Sequence, residues 1–453
     1  MKKAISTFVC MSLVMGTMSG CLGTSAPKED TKAPADTKIG ETGSSGSEAA
    51  GDNAAADSAA IDYNASFELR MMTSLTGDAR SKLIDEATAI FNEKWPNVTI
   101  KNETTSDFAQ KFQLSFSSGD GYDIVYVDDL NQQMLMEGNY LMDITEDVKE
   151  RGWLDKTVPG AIEFNNLRSP GQYYSTAFLM APIVIYYNKD IFNELGVDIP
   201  KTVNDIENIM AKAKDAGYIP TECAGNVYHQ ILWMVSSMVL NSAPKEEVDN
   251  WYYGKECSDN VKNAFIDAYT KVKEWYDKGY FREGFEGTKA EDIPTLFSQG
   301  QTAFVVGGDW DIALYEATGL NVGACVFPGF SEDEAPYIVN ATDGAWALNA
   351  NLDATQKEAA LDFIDVFYQD DYVKRWYEEG FTLATTTDVS GVETSELRKE
   401  IAESTKNTQI GFYLDNTKAG YLDYLVKETQ LFFQGAYTPE ELWESLNKEW
   451  SNR

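Results

Sequence analysis

From residue 67 onward, short apolar runs alternate with stretches in which apolar residues recur every three or four positions, a pattern that predicts strands and helices in turn. Residues 67–73 read as a strand. Residues 80–95 read as an amphipathic helix with Leu83, Ile84, Ala87, Ile90 and Phe91 inward, and Pro96 forbids its continuation. A strand at 98–103, a helix at 107–116 and a near-continuous buried strand at 122–127 follow, the last ending in Asp128-Asp129. Alternating strands and helices imply a mainly parallel sheet with covered faces. Further on, the apolar run at 175–187 leads to a short helix at 191–195 closed by Gly196. Thr202 and Asp205 are spaced as a capping box, and Gly217 ends the helix they open. Helices are expected at 231–240, at 259–278 behind a Ser258 cap, at 354–369, 371–379 and 421–434, and strands at 322–327 and 337–349. Thr438-Pro439-Glu440-Glu441 opens the last helix with a cap, an N1 proline and a reciprocal Glu.

The segment 296–311 organises the rest. It reads as a helix stopped at Gly300, a buried strand at 302–306, a tight Gly307-Gly308 turn, and a new helix opening at Asp309-Trp310. A glycine turn at the carboxyl end of a buried strand sets Asp309 and Trp310 at the mouth of a crevice, where open α/β sheets bind small molecules. From these residues alone, Trp310 filling core is nearly as good a reading. The order of apolar helix, Gly, small polar residue, Ala, apolar strand, Gly, any residue and Trp resembles the extracellular solute-binding proteins of ATP-driven importers, in the sugar-binding branch related to maltose-binding protein. Phe304 stands where that branch usually has Met. The exit Tyr187-Asn188-Lys189-Asp190, the Pro200-x-Thr202 helix start and the long strand through Asp343-Gly344-Ala345-Trp346 resemble the same family in the same order. The bend Gly380-Phe381-Thr382-Leu383 departs from its Gly-x-x-Pro.

The resemblance covers roughly 67–452. It implies an α/β fold of two lobes, each a mainly parallel sheet flanked by helices, with crossing strands between them and a ligand cleft at their junction. Lobe 1 would take residues 66–179 with 343–394, and lobe 2 residues 180–342 with 395–453. The implied function is capture of a carbohydrate, an oligosaccharide by preference, through hinge closure, and delivery to the permease of an ABC transporter by a monomer that is not an enzyme. Sugar sites pair aromatic platforms with carboxylates or amides that fix hydroxyl geometry. Mapped onto this chain, the candidates are Asp78 and Asp129 from lobe 1, Tyr228 and Trp233 from lobe 2, Asp309 and Trp310 after the turn, Asp343 and Trp346 near the return crossing, and Tyr421 on a late helix. Asp129 and Asp309 are equally suited to capping helices, Asp343 to a turn, and Trp233, Trp346 and Tyr421 to the core.

The N-terminus changes where such a protein would work. Met1-Lys2-Lys3, an apolar run at 4–18 and Ser19-Gly20-Cys21 form a secretory leader over 1–20, too short to span a bilayer as a helix. The cysteine after Ser-Gly resembles a bacterial lipobox, with Met18 in place of the usual Leu, so Cys21 would be diacylated. Residues 21–65 hold almost no large apolar side chain and read as a flexible tether. Together these place the protein on the outer face of the cell membrane, by the tether's length that of a Gram-positive bacterium.

Charge and composition narrow the partners. With 37 Lys+Arg against 72 Asp+Glu, the formal charge of −35 disfavours nucleic acid and anionic lipid headgroups. Of five cysteines, Cys223, Cys257 and Cys325 remain in the globular part, an odd number that argues for buried thiols rather than a disulfide framework. The single histidine, His229, forbids His-x-x-x-His zinc spacing and any triad that omits it, and no phosphate loop or Gly-x-Ser-x-Gly elbow is present, so no metal or cofactor is expected. Two readings stay beside sugar capture. One is a surface glycoside hydrolase, which needs only two spaced carboxylates, and the other is binding of a polyol, a polyamine or a phosphodiester.

Overall fold

The computed structural model describes residues 61–75, 77–105, 108–162, 166, 169–252, 256–332, 336–405, 408–411 and 421–452. The leader, Cys21 and most of the expected tether lie outside them. Among the described residues nine strands are joined: β1 (Phe67–Thr73), β2 (Val98–Thr104), β3 (Ile124–Val127), β4 (Leu179–Asn188), β5 (Ile219–Thr221), β6 (Thr302–Gly308), β7 (Val322–Val326), β8 (Tyr337–Leu348) and β9 (Gln409–Gly411). Their order is β2-β1-β3-β8-β4-β6-β5, with β7 on β4 and β9 on β8.

Two strands are long enough to serve both halves of the molecule. In β8, Ala345 to Leu348 pair antiparallel with β3, while Asn340 to Gly344 pair with the start of β4 and Tyr337 to Val339 with β9. In β4, Leu179 to Pro182 face β8, and Ile183 to Tyr187 pair antiparallel with β6 and, from Val184 on, with β7. A third passage runs alongside, where the Met180 N–H donates to the Thr382 carbonyl at 3.0 Å. The sheet is parallel among β1, β2 and β3 and mixed in the second half, because β4 enters that half from the other one and must run against β6.

Each half has its own core. Leu69, Trp95, Phe178, Trp346, Phe363 and Trp376 pack in the first, and Ile185, Met234, Phe265, Tyr421, Trp443 and Trp450 in the second. Local chemistry sets the helix starts. Thr202 and Asp205 form a complete capping box ahead of the helix Val203–Asp215. The Ser258 hydroxyl accepts from the Val261 N–H at 3.2 Å, and Thr438 and Glu441 bond reciprocally before Pro439–Asn452. The expected helix 354–369 is shorter, Ala354–Val366, and a separate helix starts at Asp370.

The reading of Gly307-Gly308 as a turn is corrected. Both glycines are in β6, paired with Val184 and Ile183, and Gly308 is extended at φ −86°. The chain changes direction one residue later, in the 3₁₀ turn Asp309–Asp311. Gly308 is there for space, since a Cβ on it would sit 2.2 Å from the Trp310 ring, whereas one on Gly307 would meet the Tyr186 ring at an ordinary contact distance of 3.4 Å. Cys223 and Cys325 are buried, Cys257 is half-buried, and all three are free thiols. Among the described residues no helix is long and apolar enough to cross a membrane.

Candidate functional site

The end of β6 is held by an aromatic pillar beneath it. The Tyr186 hydroxyl donates to the Gly308 carbonyl at 2.8 Å, and its ring stacks on Tyr315 with centroids 4.2 Å apart. Burial drives the Tyr186 hydroxyl pKa well above its ordinary value, with the Asp309 charge adding to the effect, so this donor stays protonated. The strand end is thereby fixed, and what it displays is Trp310, 43% exposed, with its ring folded back over the Gly308 backbone.

Trp310 continues into two further rings. Its centroid is 5.9 Å from that of Trp233 in an edge-to-face contact, and Trp233 stacks on His229 at 5.3 Å. His229 and Trp233 sit one turn apart at the start of the helix His229–Leu240, so helical spacing places them on one side. The result is a run of His229, Trp233 and Trp310 from two elements, with one ring well exposed. Asp309 is 7% exposed and belongs to the strand-end packing, whereas Asp311, on the other side of Trp310, has its carboxyl pushed up to about 6 by burial. Such a set suits a ligand with an apolar face and a hydroxyl periphery.

Opposite, β1 and β3 of the first half end at Thr73 and Val127. Asp78 is the first residue of the helix Asp78–Lys94 and Asp129 that of Asp129–Glu137, which puts both at the carboxyl ends of parallel strands. The cap of the second helix is Asp128, whose carboxylate accepts from the Asn131 N–H at 2.8 Å and from the Asn131 amide at 2.7 Å. Asp343 stands within β8, before Gly344, whose backbone lies against the Tyr126 ring; a Cβ there would be 1.9 Å from Tyr126 Cζ.

Three expected contacts are core residues, and the expectation is corrected for them. Trp346 is fully buried, 4.9 Å from Tyr126 and 4.7 Å from Phe367. Tyr421 is fully buried, edge-on to Trp450, and donates to the Leu446 carbonyl at 3.1 Å, tying its helix to the last one. Tyr228 is fully buried with a left-handed φ of 55°, which turns its ring inward onto Phe433 at 5.9 Å. Strand alternation directs the Trp346 ring into its lobe, the left-handed turn directs that of Tyr228, and the first turn of the helix Tyr421–Phe433 directs that of Tyr421. His229, weighed only for catalysis or metal binding, and Asp311 were not among the expected contacts. Their signal was adjacency, since one lies four residues before Trp233 and the other directly after Trp310.

Among the described residues no group of three or more His, Cys, Asp or Glu side chains converges on a point that could hold a metal ion.

Comparison with known proteins agrees with this architecture. A family model described as bacterial extracellular solute-binding protein matches residues 73–374. The chain is 23% identical over 373 residues to a maltooligosaccharide ABC transporter solute-binding lipoprotein of Streptococcus pneumoniae, an alignment covering 76% of this chain and 80% of the relative. It is 22% identical over 312 residues to the sn-glycerol-3-phosphate-binding periplasmic protein UgpB of Rhizobium meliloti, covering 65% and 70% respectively. A solved chitin oligosaccharide binding protein superposes with a TM-score of 0.71 at 20% identity over 85% of this chain and 98% of that one.

Proposed function

The chain belongs to the bacterial extracellular solute-binding proteins, and from that premise we propose that it captures an oligosaccharide outside the cell and presents it to the permease of an ABC importer. The observation that carries the reading is the exposed Trp310 ring, seated on Gly308 and continued by Trp233 and His229. A sugar ring laid on Trp310 would bury its C–H face, and carboxylates from the opposing strand ends, Asp78 and Asp129, would take its hydroxyls. Asp309 and Asp343 stay in the proposal as neighbours of the platform and of the crossing strand.

The halves that close are the lobes 66–179 with 343–394 and 180–342 with 395–453. The crossing strands β4 and β8 and the passage at Thr382 are the elements able to flex between them. Closure buries the ligand and forms the face that a permease meets. The protein acts as a monomer, holds its ligand unchanged and is tethered to the outer membrane face through a diacylated Cys21. The relatives' printed ligands, maltooligosaccharide, chitin oligosaccharide and sn-glycerol-3-phosphate, favour carbohydrate while keeping a phosphorylated polyol in view.

The test is a thermal-melt screen of the purified soluble chain against linear gluco-, xylo- and chito-oligosaccharides, galactosides and glycerol phosphate. A ligand at 100 times its Kd adds about 2.7 kcal/mol, enough to shift a melt visibly. Stabilisation by one glycan series, with intact glycan recovered by mass spectrometry, supports the reading. Stabilisation by glycerol phosphate alone, or recovery of shortened glycan, overturns it.

A further inference from the structure

The face of β4 that carries Met180 and Pro182 opens on a recess of about 800 Å³, bounded also by Ile338 and Asn340 of β8 and by Leu383. A smaller chamber of about 260 Å³ shares Thr382, Leu383 and Thr405 with it and reaches Tyr377 and Arg398. Neither has Trp233, Trp310 or Asp309 among its described walls, so these spaces are separate from the aromatic run.

Among the described residues, each space holds a buried donor with nothing to bond. Arg398 is 9% exposed, and among the described residues its Nη1 has no hydrogen-bond partner and no carboxylate comes within ion-pair range of it. The Gly380 backbone, at φ 97°, closes against the guanidinium so tightly that a Cβ would lie 2.4 Å from Nη2. Desolvation is the largest influence on this cation and outweighs the more distant charges of Asp309 and Glu316, so its proton affinity is lowered. Asn340 is 1% exposed; its Oδ1 accepts from the Ala181 N–H at 2.9 Å, while Nδ2 is left without a partner. Buried donors of this kind are costly unless a ligand or water accepts from them.

The geometry points to an oxyanion site in the smaller chamber, where a carboxylate, phosphate or sulfate group accepts from the Arg398 guanidinium beside Thr382. The planar guanidinium fork suits such a group, and a net charge of −35 works against anions that lack a built partner. A free ion fills the small chamber alone. An organic acid also lays its body against Met180 and Leu383 and offers an acceptor to Asn340 Nδ2. Because residues of both halves wall the chamber, an anion there is linked to the spacing of the halves, and so to binding in the cleft.

The full soluble chain, with no sugar present, is titrated by calorimetry and followed by thermal melts in sodium phosphate, sulfate, acetate and phenylacetate, against sodium chloride at equal ionic strength. The expected result is a saturable shift with at least one oxyanion that Arg398→Gln removes. Arg398→Lys keeps the charge without the fork and should bind about tenfold more weakly. Loss of only the phenylacetate response in Asn340→Ala assigns the larger recess to organic acids, and an unchanged response assigns the small chamber to free ions. Arg398→Gln should melt at or above the wild type in chloride, since it removes an unpaired buried cation. No oxyanion response in the wild type, or an equal one in both Arg398 variants, overturns the site. None of these outcomes depends on which solute the cleft takes.

Discussion

The ring of Trp310 rests on the backbone of Gly308, two residues earlier in the chain, so closely that a single added methyl would lie 2.2 to 2.4 Å from three of its carbons. The glycine leaves room for the ring, and the ring is the exposed end of the aromatic run. Gly308→Ala should therefore lift Trp310 off its seat. Overpacking of this kind costs about 1 to 3 kcal/mol. Because the ring can swing into solvent, the loss should appear mainly as weakened ligand binding, read by calorimetry, with a modest change in denaturant midpoint. Unchanged affinity would show that the ring's position is irrelevant to capture.

Trp310 and Trp346 make a controlled pair, one 43% exposed and the other fully buried among aromatics. Trp310→Ala should weaken binding by about 2 to 4 kcal/mol, roughly 30-fold to 1000-fold, with little effect on unfolding. Trp346→Ala should cost about 3 to 5 kcal/mol of stability and leave the affinity of the folded fraction nearly unaltered. Measuring both quantities on both variants separates platform from core, and the reverse pattern would refute the assignment.

The contrast between these residues also shows what was legible in the sequence. Periodicity and caps located β1, β2, β6, β8 and most long helices to within a few residues, because each is specified by its own side chains. Short elements whose partners are distant in sequence, β5, β9 and the helix Glu396–Thr405, carry no such local signal. At the site, the strand-end position of Trp310 follows from the motif itself. Whether Tyr228, Trp346 and Tyr421 face a cleft or a core depends on neighbours such as Phe433, Phe367 and Trp450, up to about 200 residues away, which spacing cannot supply. Arg398 escaped notice for the same reason, since its isolation is a property of the folded state.

A buried ion pair in the second half offers a stability test away from the cleft. Glu222 is fully buried and accepts from Arg282 Nε at 2.7 Å and Nη2 at 2.5 Å, and from the Thr302 hydroxyl at 2.5 Å. Arg282→Met would strand the carboxylate and should cost about 3 to 5 kcal/mol, whereas adding Glu222→Leu should recover much of that loss. Urea midpoints of the single and double variants measure the coupling. Additive losses would mean that the pair is not a unit.

The anchor makes a separate prediction in cells. If Cys21 is diacylated, Cys21→Ala should move the protein from the membrane fraction to the medium with an unchanged melt, because the described cores are built from residues after 60. Two acyl chains are needed for stable attachment, so the loss of their only attachment point should be nearly complete. Retention of the variant in membranes would point to another means of attachment.

The last prediction concerns pH and Asp311. Burial raises its carboxyl to about 6, against about 3.9 for an unfolded Asp. Between those values the folded protein binds the extra proton, so this group favours the folded state most below about pH 4 and its contribution is lost as pH rises through about 6. Two units correspond to at most about 3 kcal/mol, and partial solvation of the site reduces that. Asp311→Asn replaces the carboxyl with a neutral group of the same shape and should remove this component, so the variant gains stability relative to wild type as pH goes from 4 to 7. Urea titrations of both proteins at intervals across that range isolate the effect, because every other titrating group is common to the two. A difference that stays flat with pH would show that Asp311 is solvated as an ordinary carboxylate.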